Sequence, residues 1–106
     1  MGVAFEPNAG IVAEIADERR RQVDGEGWAP DHDDKHTDGE MAVAAACYAM
    51  MSATKMAPDW VPMSWPWDRS WWKPKDRRRD LVRAGALIVA EIERLDRAAE
   101  GGEANG

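Results

Sequence analysis

The stretch from Trp65 to Asp80, WPWDRSWWKPKDRRRD, holds four of the chain's six tryptophans and six of its fourteen basic residues. Indole faces stack on flat π-systems, and guanidinium forks take phosphate or carboxylate oxygens two at a time. Interleaving the two is a way to hold something planar and anionic, such as a nucleotide. The stretch carries net +3 in a chain of net −6, which leaves −9 on the remainder. On this reading Trp65, Trp67, Trp71 and Trp72 stack on a ligand, and Arg69, Lys73, Arg77 and Arg78 meet its phosphates. His36 and Asp33 read ribose or base edges. The competing reading makes the indoles core filling, since Phe5 and Tyr48 are the only other aromatics, and makes the arginines the solvated first turn of a helix.

A second group of titratable side chains lies in the loop His32, Asp33, Asp34, His36, Asp38 and Glu40. His32 and His36 stand four apart and Glu40 continues the row, so one unbroken helix would place all three on a metal-binding face. Pro30 and Gly39 interrupt such a helix, which favours capping and polar loop chemistry. Glu40 and Asp80 each belong to the first turn of an expected helix, where acids meet the helix dipole favourably. With Asp34 nearby, the same acids would suit magnesium in phosphate chemistry. Arg77, Arg78, Arg79 and Arg83 crowd the start of the last helix against its dipole, and an anion resting there would relieve the mismatch.

Three helices must position these groups. Asn8 to Val23 carries an apolar stripe of Ile11, Val12, Ile15 and Ala16, with Gly25 and Gly27 to end it. A second helix is expected from Asp38 to Ser52, capped by Asp38 or Thr37. Its body, MAVAAACYAMM, is apolar on nearly every face, which marks it as the central one. Four prolines, at 58, 62, 66 and 74, forbid regular helix from Ala57 to Lys75, and an ordered loop of that length is uncommon without a role. The third helix, Arg77 to Arg97, has Leu81, Ala84, Ile88, Ile92 and Leu95 at helical spacing as its core stripe, widened by Val82, Leu87 and Val89. Gly85 within it costs ~1 kcal/mol relative to Ala, which close approach of another backbone, such as the alanine-lined second helix, would justify.

The fold class expected is therefore all-α: a three-helix unit with a long Pro/Trp-rich loop, completing a helical bundle by oligomerisation. One domain spans 1–100, and 101–106 is a disordered tail. Many of the apolar residues are alanines, and a thin core in 106 residues argues for a homo-oligomer. The acidic total disfavours duplex nucleic acid as a partner, because phosphate contacts need a broad basic face. No run is long enough to span a membrane. The opening MGVAFEPNAG has neither the basic flank and apolar run of a secretory signal nor the sixth-position Ser or Thr of a myristoylation site. The lone Cys47 reads as a small buried hydrophobe in a reducing cytoplasm.

The runs ERRRQ, EGW with HDDKHTDGE, CYA, WPWDRSWWKP and RRDLVRAGALIVAEIERLDR resemble a widespread family of small phage and prophage proteins, across roughly Ala13 to Arg97. The resemblance implies a viral accessory protein in the host cell cytoplasm, acting on the host or its nucleotide pool. A more distant likeness is to the all-α NTP pyrophosphohydrolases of the MazG type, whose E-x-x-E and E-x-x-D motifs bind magnesium. Glu40 and Asp80 match the closing acid of each motif, while the opening positions are Thr37 and Arg77, which departs from the ligand set and counts against hydrolysis. The function expected is a non-catalytic, nucleotide-binding sponge that sequesters a phosphorylated host immune signal, a cyclic nucleotide or ADP-ribose derivative, with no cofactor. The alternatives are a magnesium-dependent pyrophosphohydrolase using Glu40, Asp80 and Asp34, and an acidic protein–protein inhibitor of a host defence complex.

Overall fold

Asn8 starts the first helix, its side chain accepting the N–H groups of Gly10 and Ile11 at 2.9 and 3.2 Å. The computed structural model describes residues 5–53 and 60–105, and these are all-α, with no strand among the described residues. Helix α1 spans Ala9–Glu26, a one-turn α2 spans Pro30–Asp33, α3 spans Glu40–Ala53 and α4 spans Arg77–Asn105. Between α3 and α4, the described part of the proline-rich excursion holds only a 3-10 turn over Arg69–Trp71. Pro58 and the residues beside it, expected to open that excursion, lie outside the described residues, as does the start of the opening segment.

Helix α1 runs past Gly25 and stops at Gly27, whose φ of 73° closes the helix in the left-handed conformation. Helix α3 begins at Glu40 rather than Asp38; Gly39, at φ 77°, makes the turn into it. Asp76 caps α4 by accepting the Arg79 N–H at 2.9 Å, and Asp80 reaches back to accept the Lys75 N–H at 2.7 Å. This last helix continues to Asn105, through the span expected to be a disordered tail.

Helix α4 is the spine. Helix α3 packs along it in the opposite direction: Tyr48, late in α3, lies against Arg83, early in α4. Helix α1 runs the same way as α4, since Glu14 meets Arg78 and Arg19 meets Glu93. The buried cluster is Met41, Ala44, Ala45, Cys47 and Tyr48 of α3, Ala84, Leu87 and Ala90 of α4, and Trp28, Trp65 and Trp72 from the loops. Small residues along the α3–α4 seam let the backbones come close, as the alanine-rich composition implies. The close neighbour of Gly85, however, is Ile15 of α1 and not α3: a Cβ at Gly85 would stand 3.1 Å from the Ile15 Cδ1.

The apolar face expected as the core of α4 is buried only along one edge, at Val82, Ala84 and Leu87. Of Leu81, Ala84, Ile88, Ile92 and Leu95, only Ala84 is covered; the other four are about half exposed. Beside Val82 and Leu87, helix α4 turns Ala86, Ala90 and Arg94 inward. Helix α1 shows the same inversion, with Ile11 and Val12 exposed and Glu18, Arg19 and Gln22 buried. Charge inside and hydrocarbon outside is reconciled on the inner side by ion pairing, described next.

Candidate functional site

Gly27 aims the first wall of the site. It and Trp28 both donate N–H groups to the Gln22 carbonyl, the hydrogen-bonded turn-off that a left-handed glycine permits, and Trp28 leaves α1 in a defined direction. Pro30 then opens α2 at its first position, where a missing N–H costs nothing. Helix α2 presents His32, and the turn after it presents His36, their rings 4.9 Å apart and edge to face.

Arg19 locks this arrangement. Its buried guanidinium donates to the Trp28 carbonyl at 3.2 Å, to Asp33 at 2.8 Å and to Glu93 at 2.9 Å. One side chain therefore ties the end of α1, the short α2 and the spine together. Burial pushes the Asp33 carboxyl above the usual carboxylate range, with the Arg19 charge opposing the shift.

The opposite wall comes from the tryptophan-rich stretch, which divides in two. Trp65 and Trp72 point inward: Trp72 stacks on Tyr48 at 4.8 Å, Trp65 meets both edge-on, and their indole N–H groups donate to the Asp68 and Trp60 carbonyls. These two rings are packing, and with their N–H groups satisfied they have nothing left for a ligand. Trp67 and Trp71 stand on this platform and face the cavity. Asp68 holds the bend between them by accepting the Ser70 N–H at 2.9 Å, a bond that also keeps its carboxyl below its ordinary range.

Trp28, His32, His36, Trp67, Asp68 and Trp71 thus enclose a cavity of about 270 Å³. The Trp28 ring lies 5.5 Å from Trp67 and 6.0 Å from Trp71, tilted by 56° and 46°, and His36 lies 5.3 Å from Trp67. His36 is oriented by its Nδ1, 3.0 Å from a Glu40 oxygen, and Glu40 also accepts the Asp38 N–H at 2.7 Å. Burial alone would raise the Glu40 carboxyl, but the His36 and backbone bonds together hold it below its usual value. A carboxylate only accepts, so Nδ1 carries the hydrogen, and in the neutral ring Nε2 is left with a lone pair.

That Nε2 has no hydrogen-bond partner. Neither has His32 Nδ1, which stands 3.7 Å from Asp33, nor the indole N–H of Trp67. All three atoms are buried and belong to residues that line the one cavity. Buried polar atoms are seldom left without partners, so three at one place mark a site shaped for something polar.

The expected phosphate and metal groups lie elsewhere. Arg78 is held bidentately by Glu14, both bonds at 2.7 Å, and Arg79 pairs with buried Glu18. Arg77 is exposed at the first position of α4. Lys73 rests over the Trp71 ring at 5.3 Å and reaches toward Glu26 at 3.9 Å, while Arg69 is exposed in the 3-10 turn. Asp33, expected to read a ligand edge, is spent on Arg19. Of the acids expected to hold magnesium, Glu40 is engaged by His36, Asp34 by Arg97 at 2.8 Å and Asp80 by the Lys75 N–H. Among the described residues no three His, Cys, Asp or Glu side chains converge as a metal site.

Trp28 and Asp68 are the lining residues that the sequence reading passed over. A signal existed for Trp28: the pair Gly27–Trp28 ends an amphipathic helix a few residues before the two histidines. No family model, curated protein or solved structure matches the chain, so its site is read from its own geometry. None of the described helices is long and apolar enough to cross a membrane.

Proposed function

We propose that the protein is a non-catalytic binding module that takes the heterocyclic end of a nucleotide-like small molecule between Trp28, Trp67 and Trp71. The observation that carries this reading is the set of unpartnered polar atoms in an indole-walled cavity. Indole faces supply stacking, which base rings accept irrespective of their identity. The Trp67 N–H offers a donor, the Asp68 carboxylate offers an acceptor, and His36 Nε2 adds a further polar atom without a partner. A nucleobase edge carries both donors and acceptors in one plane and so answers that mixed set. A quaternary ammonium, the other usual guest of aromatic walls, would leave the Trp67 N–H unanswered. The cavity accounts for the heterocyclic end of the ligand alone: of the cations expected to meet phosphates, Arg78 already grips Glu14 and Lys73 reaches toward Glu26.

Hydrolysis would require carboxylates converging on a cation, whereas Glu40, Asp34 and Asp80 are each committed to a different partner. The phage-type setting implied by the motif resemblance makes a phosphorylated host signal, a cyclic nucleotide or ADP-ribose derivative, the class to test first.

Tryptophan fluorescence and thermal shift against AMP, a cyclic dinucleotide, ADP-ribose and choline test the reading. One nucleotide is expected to quench emission and, at ~100 times its dissociation constant, to stabilise the fold by about 2.7 kcal/mol. Trp67→Phe keeps a ring and removes the N–H, so affinity for that ligand should fall roughly tenfold, equivalent to ~1.4 kcal/mol. A flat response to the nucleotides, or a response to choline alone, would overturn the proposal.

A further inference from the structure

The exposed face of α4 has an order of its own. Leu81, Gly85, Ile88, Ile92, Leu95 and Ala99 follow one another at alternating steps of four and three, the spacing of a seam between packed helices. Leu81, Ile88, Ile92 and Leu95 are 45–53 % exposed, and Ile11 and Val12 of α1 add 46 % and 56 % on the same side. Beside the seam, Val12, Ile15, Ala16, Gly85 and Val89 border a groove of about 470 Å³ between α1 and α4. With Val89, 36 % exposed, these side chains leave hydrocarbon uncovered from Leu81 to Leu95 within one protomer, where a standard interface covers ~800 Å² on each partner.

We infer that this face is covered by a second copy of the chain, joined about a two-fold axis near Ile88. In that arrangement α1 and α4 of one protomer and α1 and α4 of its partner form a four-helix bundle, with α4 antiparallel to its mate. Three observations choose this occupant. The patch is self-complementary about such an axis, since Leu81 and Leu95 stand seven residues either side of Ile88 and meet each other across it. Charge sets the direction: residues 75–83 carry net +3 and residues 91–100 net −2, so antiparallel pairing brings the basic end of each α4 to the acidic end of the other. The exposed hydrocarbon of α1 and α4 also acquires a cause, because each helix then has one face covered within the protomer and another covered between protomers.

Sedimentation or light scattering at micromolar concentration should report twice the chain mass of 11.8 kDa. Ile88→Glu combined with Ile92→Glu should give the single-chain mass with unaltered helical circular dichroism, since both side chains are exposed in the protomer. A short bismaleimide should join Ile88→Cys protein to itself. It should join Leu81→Cys to Leu95→Cys only when the two are mixed. A wild-type protein of single-chain mass, a dimer that survives both charged substitutions, or cross-linking of Leu81→Cys to itself would each overturn the inference.

Discussion

Arg19 shows how one side chain can decide a local structure. It is buried, it pairs with a carboxylate buried more deeply still, and it holds a carbonyl of the cavity wall. Removing one partner of such a pair strands the other charge, so Arg19→Met should cost ~3–5 kcal/mol in urea unfolding. Arg78→Ala, which breaks the fully exposed pair with Glu14, should leave the melting temperature close to that of the wild type. Glu18 gives a pH-dependent test. Burial alone would raise its carboxyl, but the bonds from Arg21 and Arg79 outweigh burial and hold it below its ordinary 4.5. A carboxyl lowered in the folded state stabilises above its unfolded value and loses that contribution as pH falls through the folded one. Asp33 and Asp80, raised by burial, act in the opposite sense and partly offset the loss. Melting temperature against pH should therefore fall below about pH 4.5, and Glu18→Gln should flatten that limb. An unchanged limb would remove Glu18 from the account.

At the scale of elements, the cavity depends on how α1 ends. Gly27 has open space where a Cβ would be added, so the obstacle to any other residue is its φ of 73°. Gly27→Ala should destabilise by ~1 kcal/mol. It should also weaken nucleotide binding, because Trp28 is aimed by that turn. Equal binding by wild type and variant would show that Trp28 does not depend on it. The elements were largely legible from the sequence. Asn8, the alanine-rich run after Gly39, the prolines at 62, 66 and 74 and the start of α4 at Arg77 all behave as their side chains require. The short α2 was not legible: it is one turn, written only as a proline after a loop, and Arg19 stabilises it from outside through Asp33. Gly25 and Gly27 were both legible as ends of α1, but not which of them makes the stop, since either glycine can adopt the left-handed conformation.

For the whole molecule, periodicity showed where α1 and α4 carry hydrocarbon but not what covers it. The seam through Leu81, Ile88, Ile92 and Leu95 has the spacing of a core stripe, and within one protomer it faces solvent. Alanines and leucine on another face of α4 pack against α3 because small residues let the two backbones approach, while α1 meets α4 through ions. The tryptophans divided on the same principle. All four in the stretch have one composition, yet Trp65 and Trp72 found carbonyl acceptors in the core and Trp67 did not. What the sequence alone determined was helical class, chain order and the places where helix is forbidden, because propensity, capping and proline chemistry act over a few residues. Which face of each helix is covered, which indoles line the cavity and which arginines are already paired were decided only in three dimensions. Those outcomes depend on partners more than sixty positions away, such as Glu14 for Arg78 and Glu93 for Arg19, and local pattern carries no record of them.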